Sequence, residues 1–449
     1  MDKINIQVEG KSVLVLGGGI SGKSAIGLLK KLKSSRVILY DKVYQDGNFD
    51  EFFSDSSGLG KAGKADLIIK SPGISPDHPI LEEAKFLRIP IYSEIDLAYS
   101  FFKGKIVGIT GTDGKSTTTA LTGFLIQKMC PNSKAGGNLG IPFSDFCLEN
   151  LDYAILELSS YQLEDSEFFQ TSVSSLLNIA PDHLERHKTI DNYLEAKMRI
   201  IKNSDKNHRF IVNQKLQNQI KTYLNGYKGQ VLYFGSSKNS DAYINFENSS
   251  IQTKNFYYSY KDFKLVGNHN VENLAASLLI CENCLCEPAL LQKSIPEFKG
   301  LEHRFQYVDT IQNLTFINDS KSTNIHSLVA GLSYLKKGKK VVLIIGGKAK
   351  GKDLEPFMIA TQHLDLYVYL IGEAIGLWEG DLRSHFKERL IVRKDLKEVF
   401  RNLPEIIEKI DPSFVIFSPG CASFDQYKNF EERGTHFIEL VEELKLKTL

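Results

Sequence analysis

Apolar residues along this chain come in short runs separated by amphipathic stretches. The run VLVLG (13–17) is followed by a helical pattern through Leu28–Leu32, then by VILYD (37–41) and ADLIIKSPG (65–73). Short apolar runs bounded by glycine, proline and polar residues predict strands. Their alternation with helical periodicity predicts a parallel sheet with helices on its faces. Lys103-Gly104 then precedes KIVGITG, which restarts the pattern. In the second block, strands are expected at YAILEL (153–158) and SLLNIA (175–180), and helices near 116–129, 190–202 and 270–280. Residues 205–260 are mixed polar and aromatic, with short strands. A third block begins near EFKGLEHRF and alternates again through LTFINDS (314–320), KVVLIIGG (340–347), LDLYVYLIG (364–372) and FVIFSPG (414–420). The pattern predicts an α/β protein with three domains in series, 1–102, 103–300 and 301–449.

Composition adds exclusions. A chain of 449 residues exceeds one ordinary domain, and 42% hydrophobic with 24% charged residues is a soluble globular profile. With 55 basic against 54 acidic residues the formal net charge is +1, without the basic excess of a nucleic-acid binder. The apolar run Val13–Leu16 is far shorter than a signal-peptide core, and no segment approaches the ~18 apolar residues of a membrane span. No nucleic-acid or membrane partner is expected, the location expected is the cytoplasm, and nothing demands more than a monomer. Cys281, Cys284 and Cys286 fall close together on an apolar helical stretch without a nearby fourth ligand, which reads as structural thiols rather than zinc.

Two loops compete for phosphate. GGGISGKS (17–24) satisfies G-x-G-x-x-G with Gly17, Gly19 and Gly22, and also the P-loop pattern ending in Lys23 and Ser24. It follows a strand and opens a helix, where free N–H groups hold an anion, and Asp41 closes the next strand as a ribose-reading acid does. Glycines at such a turn also serve tight packing alone. GITGTDGKSTTT (108–119) has Ile109 where the strict P-loop has its first glycine, yet Thr110, Gly111, Gly114, Lys115 and Ser116 again stand between strand and helix. A lysine there reaches β/γ-phosphates, and the Ser116 hydroxyl can ligate Mg²⁺. Glu157, in YAILEL, is either an acid helping to hold Mg²⁺ or a solvent-facing residue of an alternating strand.

TIDNYLEAKMRII should be a helix with Asp191 as its cap candidate and an apolar stripe of Ile190, Tyr193, Leu194 and Ile201. Lys197 lies on that stripe, so it either snorkels to solvent or is paired or chemically altered. Just upstream, Asp182, His183 and His187 follow a buried-looking strand, and His183 is either a metal ligand or a loop histidine.

These motifs, with LELSSYQLE (156–164), NIAPDHLERH (178–187), EAKMRI (195–200), GNHNVEN (267–273), EHRF (302–305), NDSKSTN (318–324) and SPGCASFDQYKNFEERG (418–434), resemble the Mur ligases over essentially the whole chain. The last is similar to the D-glutamate-adding branch. The resemblance implies a Rossmann-like N-terminal domain, a P-loop-type central ATPase domain and a Rossmann-like C-terminal domain. It implies ATP-dependent joining of D-glutamate to UDP-N-acetylmuramoyl-L-alanine through an acyl phosphate, in peptidoglycan precursor synthesis. The loop holding Thr110, Gly111, Thr112, Asp113, Gly114, Lys115, Ser116 and Thr117 then cradles ATP. Gly18, Gly19, Asp41, Ser71 and Gly73 become contacts to UDP, and Asn138 lies near the reacting carboxylate.

By the same resemblance, Lys197 is carbamylated by CO₂ and, with Ser116, Glu157 and His183, holds two Mg²⁺ ions. Asn270 and Asn273 meet the adenine end, Arg304 clamps the γ-phosphate and Asp319 meets the ribose. Lys321, Thr323, Lys350, Ser423 and Phe430 position D-glutamate. Asp113, the segment LYDKVY and Ala349 depart from the commonest family residues, which bears on the uridine contacts and on Lys350. Three readings compete: a nicotinamide-dependent oxidoreductase built on GGGISGKS and Asp41, a nucleotide-switched regulator, and a relative that adds another amino acid or extends folate.

Overall fold

The computed structural model describes residues 4–44, 46–54, 60–138, 140–332, 335 and 338–448. It contains three sheets, one for each stretch of strand–helix alternation. The first is wholly parallel and ordered β3-β2-β1-β4-β5, from β1 (Ser12–Leu16), β2 (Arg36–Tyr40), β3 (Glu51–Phe53), β4 (Leu67–Lys70) and β5 (Ile91–Ser93). Strand order turns back on either side of β1, so the loop after β1 opens at a topological switch point, where α/β sheets bind ligands.

The second sheet is built from β6 (Lys105–Thr110), β7 (Ser133–Gly137), β8 (Tyr153–Glu157), β9 (Val173–Leu176), β10 (Arg209–Asn213), β11 (Gln230–Gly235), β12 (Ala242–Asn245), β13 (Ser250–Gln252) and β14 (Tyr257–Ser259). Its order is β14-β13-β12-β11-β10-β9-β6-β8-β7, parallel except at the β12-β13-β14 end. The third comprises β15 (Gln306–Ile311), β16 (Leu314–Asn318), β17 (Lys340–Gly346), β18 (Asp365–Ile371), β19 (Leu390–Val392) and β20 (Phe414–Phe417). It is ordered β15-β16-β20-β17-β18-β19, with only the β15-β16 pair antiparallel. Apolar cores cover both faces of this sheet, one around Trp378 and Leu343, the other around Phe417 and Phe437.

The chain forms two compact units. The larger, Met1–Lys261 with Glu272–Ile295, holds the first two sheets, and the smaller, Asp262–Val271 with Pro296–Leu449, holds the third.

Several local expectations change. The strand expected at 175–180 is Val173–Leu176, because Asn178 and Ala180 leave the sheet to bond Thr112 in the loop after β6. The helix expected over 190–202 ends at Met198 and tightens into a 3-10 turn, Arg199–Ile201. Its cap is Thr189, whose hydroxyl accepts from Asn192 N–H; Asp191 sits inside the first turn, and Ile190 is exposed rather than part of the apolar stripe. β8 does not alternate: all five residues are buried, since β6 and β7 flank it and helices cover its faces. Glu157 is therefore not solvent-facing. Cys281 and Cys284 are fully buried free thiols whose ionisation burial pushes up.

Candidate active site

In the larger unit, β6 runs into Gly111–Gly114 and the helix Lys115–Gln127. Gly114 has φ +77°, and a Cβ there would lie 2.5 Å from Asn273 Oδ1, so the turn requires glycine. No side chain caps this helix at Gly114, the kind of N-terminus at which anions bind. The Lys115 ammonium folds back onto the Thr112 carbonyl at 2.5 Å. Asn178 braces the loop: its side-chain oxygen accepts from Thr112 and Asp113 N–H at 3.1 and 2.8 Å, and its amide donates to the Asp113 carbonyl. That role went unread in the sequence, although Asn178 opens NIAPDHLERH.

Behind the loop lies the predicted lysine. Lys197 is 1% exposed, with its ammonium 3.5 Å from Thr110 Oγ1 and 4.4 Å from the centre of the Tyr193 ring. No carboxylate stands within ion-pair distance of it among the described residues. It does not snorkel. Burial, helped by Lys115 and opposed by Asp182 and Glu157, pushes its ammonium from 10.5 down to about 7.

Glu157 is 3% exposed. Its Oε1 accepts from the Asn138 amide at 2.9 Å, while Oε2 is buried without a partner. The unsatisfied Glu157 Oε2 is a hard oxygen donor of the kind a divalent cation takes. His183 sits on a left-handed turn with φ +53°, its ring 5.1 Å from Tyr161 and 6.3 Å from Tyr193. The fold thus brings Lys115, Thr110, Tyr193, Lys197 and His183 to one end of the sheet, with Asn138 on Glu157.

The first loop is built differently. Gly17 has φ +99°, and a Cβ on Gly22 would lie 1.9 Å from the Gly17 carbonyl oxygen, so loop and helix touch backbone to backbone. Asp41 accepts from Gly18 N–H at 2.6 Å, and Ser71 donates to the Gly17 carbonyl at 2.9 Å. The helix Ile20–Lys31 also starts without a side-chain cap, at Gly19. Next to Ser71, Lys70 forms a buried ion pair with Asp165, and Arg186 bonds Glu164 at 2.8 Å and the Pro72 carbonyl at 3.2 Å. Arg186 also lies 4.3 Å over the Tyr161 ring that touches His183. This bridge from the Ser71–Gly73 loop to His183 had no sequence signal, because its members are 114 residues apart in one link.

In the smaller unit, Asp319 is 6% exposed, accepting from Ser418 Oγ at 2.6 Å and Phe305 N–H at 3.0 Å. Burial pushes its carboxyl up to about 7 against those bonds and the nearby Arg304 charge. Lys321 lies 5.8 Å over the Phe430 ring, Ser423 is buried, Thr323 half-buried, and Lys350 and Arg304 exposed. Asn270 donates to the Val266 carbonyl at 2.8 Å, within the smaller unit, whereas Asn273 packs on Gly114 in the larger.

Residues 109–281 match the Mur ligase middle domain. A UDP-N-acetylmuramoylalanine--D-glutamate ligase of Leptospira interrogans is 45% identical over 97% of this chain and 97% of its own length. The chain belongs to the Mur ligase family. A ligase of the same description from Aquifex aeolicus is 35% identical over 96% of this chain and 98% of its own. Among solved structures, a MurF ligase of Thermotoga maritima in complex with ADP shares the fold, with TM-score 0.54 at 17% identity over 98% of this chain and 96% of its own. The matched residues take in the second glycine-rich segment from Ile109 onward, whereas the first, at 17–24, lies outside them. Among the described residues no helix is long and apolar enough to cross a membrane.

Proposed function

We propose a division of labour for the reaction of this D-glutamate-adding branch, the ATP-dependent joining of D-glutamate to UDP-N-acetylmuramoyl-L-alanine. A carboxylate is a poor electrophile, so the alanyl carboxylate is first phosphorylated by ATP. The amine of D-glutamate then attacks the acyl phosphate, and collapse of the tetrahedral intermediate leaves amide and phosphate.

The loop Thr110–Thr117, with its Thr112 and Asp113 N–H groups held by Asn178, cradles the ATP phosphates, Lys115 meets the γ-phosphoryl and Asn273 the adenine end. Arg304 adds charge to the γ-phosphate, and Asn270 and Asp319 serve the nucleoside. Gly18, Gly19, Asp41, Ser71 and Gly73 hold UDP, and Asn138 orients the reacting carboxylate. Lys321, Thr323, Lys350, Ser423 and Phe430 receive D-glutamate. Two Mg²⁺ ions, held by Ser116, Glu157, His183 and carbamylated Lys197, would neutralise charge on the moving phosphoryl. We place domain boundaries at 102/103 and 300/301 and read the protein as a cytoplasmic monomer.

The observation that carries this reading is Lys197: buried at 1% exposure, without a carboxylate, beside the nucleotide loop. Burying an ammonium there costs stability unless the group is used. An uncharged amine adds CO₂ and releases one proton, which exchanges a cation for a metal-binding anion. Lys197→Ala should abolish ligation, with partial rescue by a short-chain carboxylate. Full activity of the alanine variant would remove the carbamate from the scheme.

A further inference from the structure

Arg433 is, after Trp378, the largest fully buried side chain in the described structure. It lies in the first turn of the helix Phe430–Thr448 and reaches inward to three loops. Nε donates to Ser320 Oγ at 3.1 Å, and Nη2 donates to the Ser320 and Cys421 carbonyls at 2.8 and 3.0 Å. Nη1 is buried without a hydrogen-bond partner and faces Gly347, where a Cβ would stand 3.0 Å from it. The guanidinium lies 5.8 Å from the Phe417 ring centre. No carboxylate is within ion-pair distance among the described residues.

An arginine buried against carbonyls and an aromatic ring, with Asp425 acting on it only from beyond ion-pair distance, is an expensive way to tie loops together. A neutral donor such as glutamine could do much of the tying. The position of the loops supplies a reason. Ser320 precedes Lys321, Cys421 stands two residues before Ser423, Gly347 three before Lys350, and the helix that carries Arg433 begins at Phe430. One side chain therefore touches every segment that bears the residues assigned above to D-glutamate. These segments follow the carboxyl ends of β16, β17 and β20, neighbours in the sheet.

We propose that Arg433 is the positioning residue of the amino-acid subsite, locking its loops and placing behind it a positive charge, only partly offset by Asp425, that favours a dicarboxylic acceptor. The proposal rests on the subsite assignment made above. It adds that the loops, and the field across them, are set by a residue that does not touch substrate. Charge on the acceptor side chain is read partly through this buried cation, whose field is weakly screened in the low-dielectric interior.

The test is steady-state kinetics of the full chain with Arg433→Met, Arg433→Lys and Ser423→Ala, varying D-glutamate, ATP and the UDP substrate separately. A lost charge-assisted contact is worth about 10- to 100-fold. In Arg433→Met the KM for D-glutamate should rise by about that factor, while the other two KM values stay within about twofold. The lysine variant, which keeps the charge, should recover part of the loss. An unchanged D-glutamate KM in folded Arg433→Met overturns the proposal, as does an equal rise in all three KM values or a lysine variant no better than methionine. If the methionine variant does not fold, the lysine variant decides: a selective rise in D-glutamate KM supports the role, and no rise overturns it. Ser423→Ala separates the two layers, because an unchanged D-glutamate KM there refutes the subsite itself. A raised value there with Arg433 variants unaffected refutes Arg433 alone.

Discussion

Glu94 offers a direct test of the electrostatics inferred for the larger unit. Its carboxyl is 1% exposed at the start of the helix Glu94–Phe101, and Oε1 accepts from both Ser144 N–H at 2.8 Å and Ser144 Oγ at 2.6 Å. Oε2 is buried without a partner. Burial, against those two bonds and with Asp145 adding repulsion, pushes the carboxyl from 4.5 up to about 7. The folded state thus holds this proton more tightly than the unfolded chain does. Below pH 4.5 the group is neutral in both states and costs nothing. Between 4.5 and 7 the unfolded chain ionises first and stability falls; above 7 the whole cost is present, about 3 kcal/mol for this interval.

The helix N-terminus favours an anion by about 0.3–1 kcal/mol, which lowers that cost. Glutamine would keep the Oε1 acceptor and leave its amide partnerless in place of Oε2, at about 1 kcal/mol. Glu94→Gln should therefore stabilise the protein by about 1–2 kcal/mol at pH 8 and destabilise it by about 1 kcal/mol at or below pH 4.5, where only the amide penalty remains. Denaturant midpoints of both proteins across pH 4.5–8 measure this. A midpoint difference that is the same at both ends, or that grows as the pH falls, refutes the reasoning.

Loop assignment is tested by a pair of lysines. Lys115→Ala should lower ATP-dependent turnover by about 100-fold or more, as loss of a donor to developing charge does, whereas Lys23→Ala should mainly raise the KM for the UDP substrate. The reverse pattern would exchange the two loops. Arg186→Ala leaves Glu164 and the Pro72 carbonyl without their donor. It should cost about 1.5–3 kcal/mol of stability and raise the KM for the UDP substrate more than that for ATP; unchanged melting and KM values would make the bridge idle.

The order of strands and helices, the parallel character of the sheets and the two glycine-rich turns after β1 and β6 were legible locally. Glycines and hydroxyls between an apolar strand and a helix specify a tight turn from local residues alone. The strands β3 and β5 were not legible, since three residues carry too little periodicity, nor was β7, whose sequence SKAGG has no apolar run. Asp191 as a cap failed for a related reason: Thr189, two residues earlier, has the extended backbone a cap needs.

What only the tertiary structure decided is burial, and with it charge. Tyr153, Ile155 and Glu157 read as one face of an alternating strand until β6 and β7 enclosed β8 on both sides. Lys197 could snorkel until Thr110 and Tyr193 closed over it. Arg433 is one charged residue among several in NFEERG, and nothing near it in sequence distinguishes it from its neighbours. Its place depends on Ser320, 113 residues away, and on Cys421, 12 residues away. Local residues determine backbone geometry. Desolvation depends on which distant segments pack around a group, so the chemistry that rests on it emerges only from the fold.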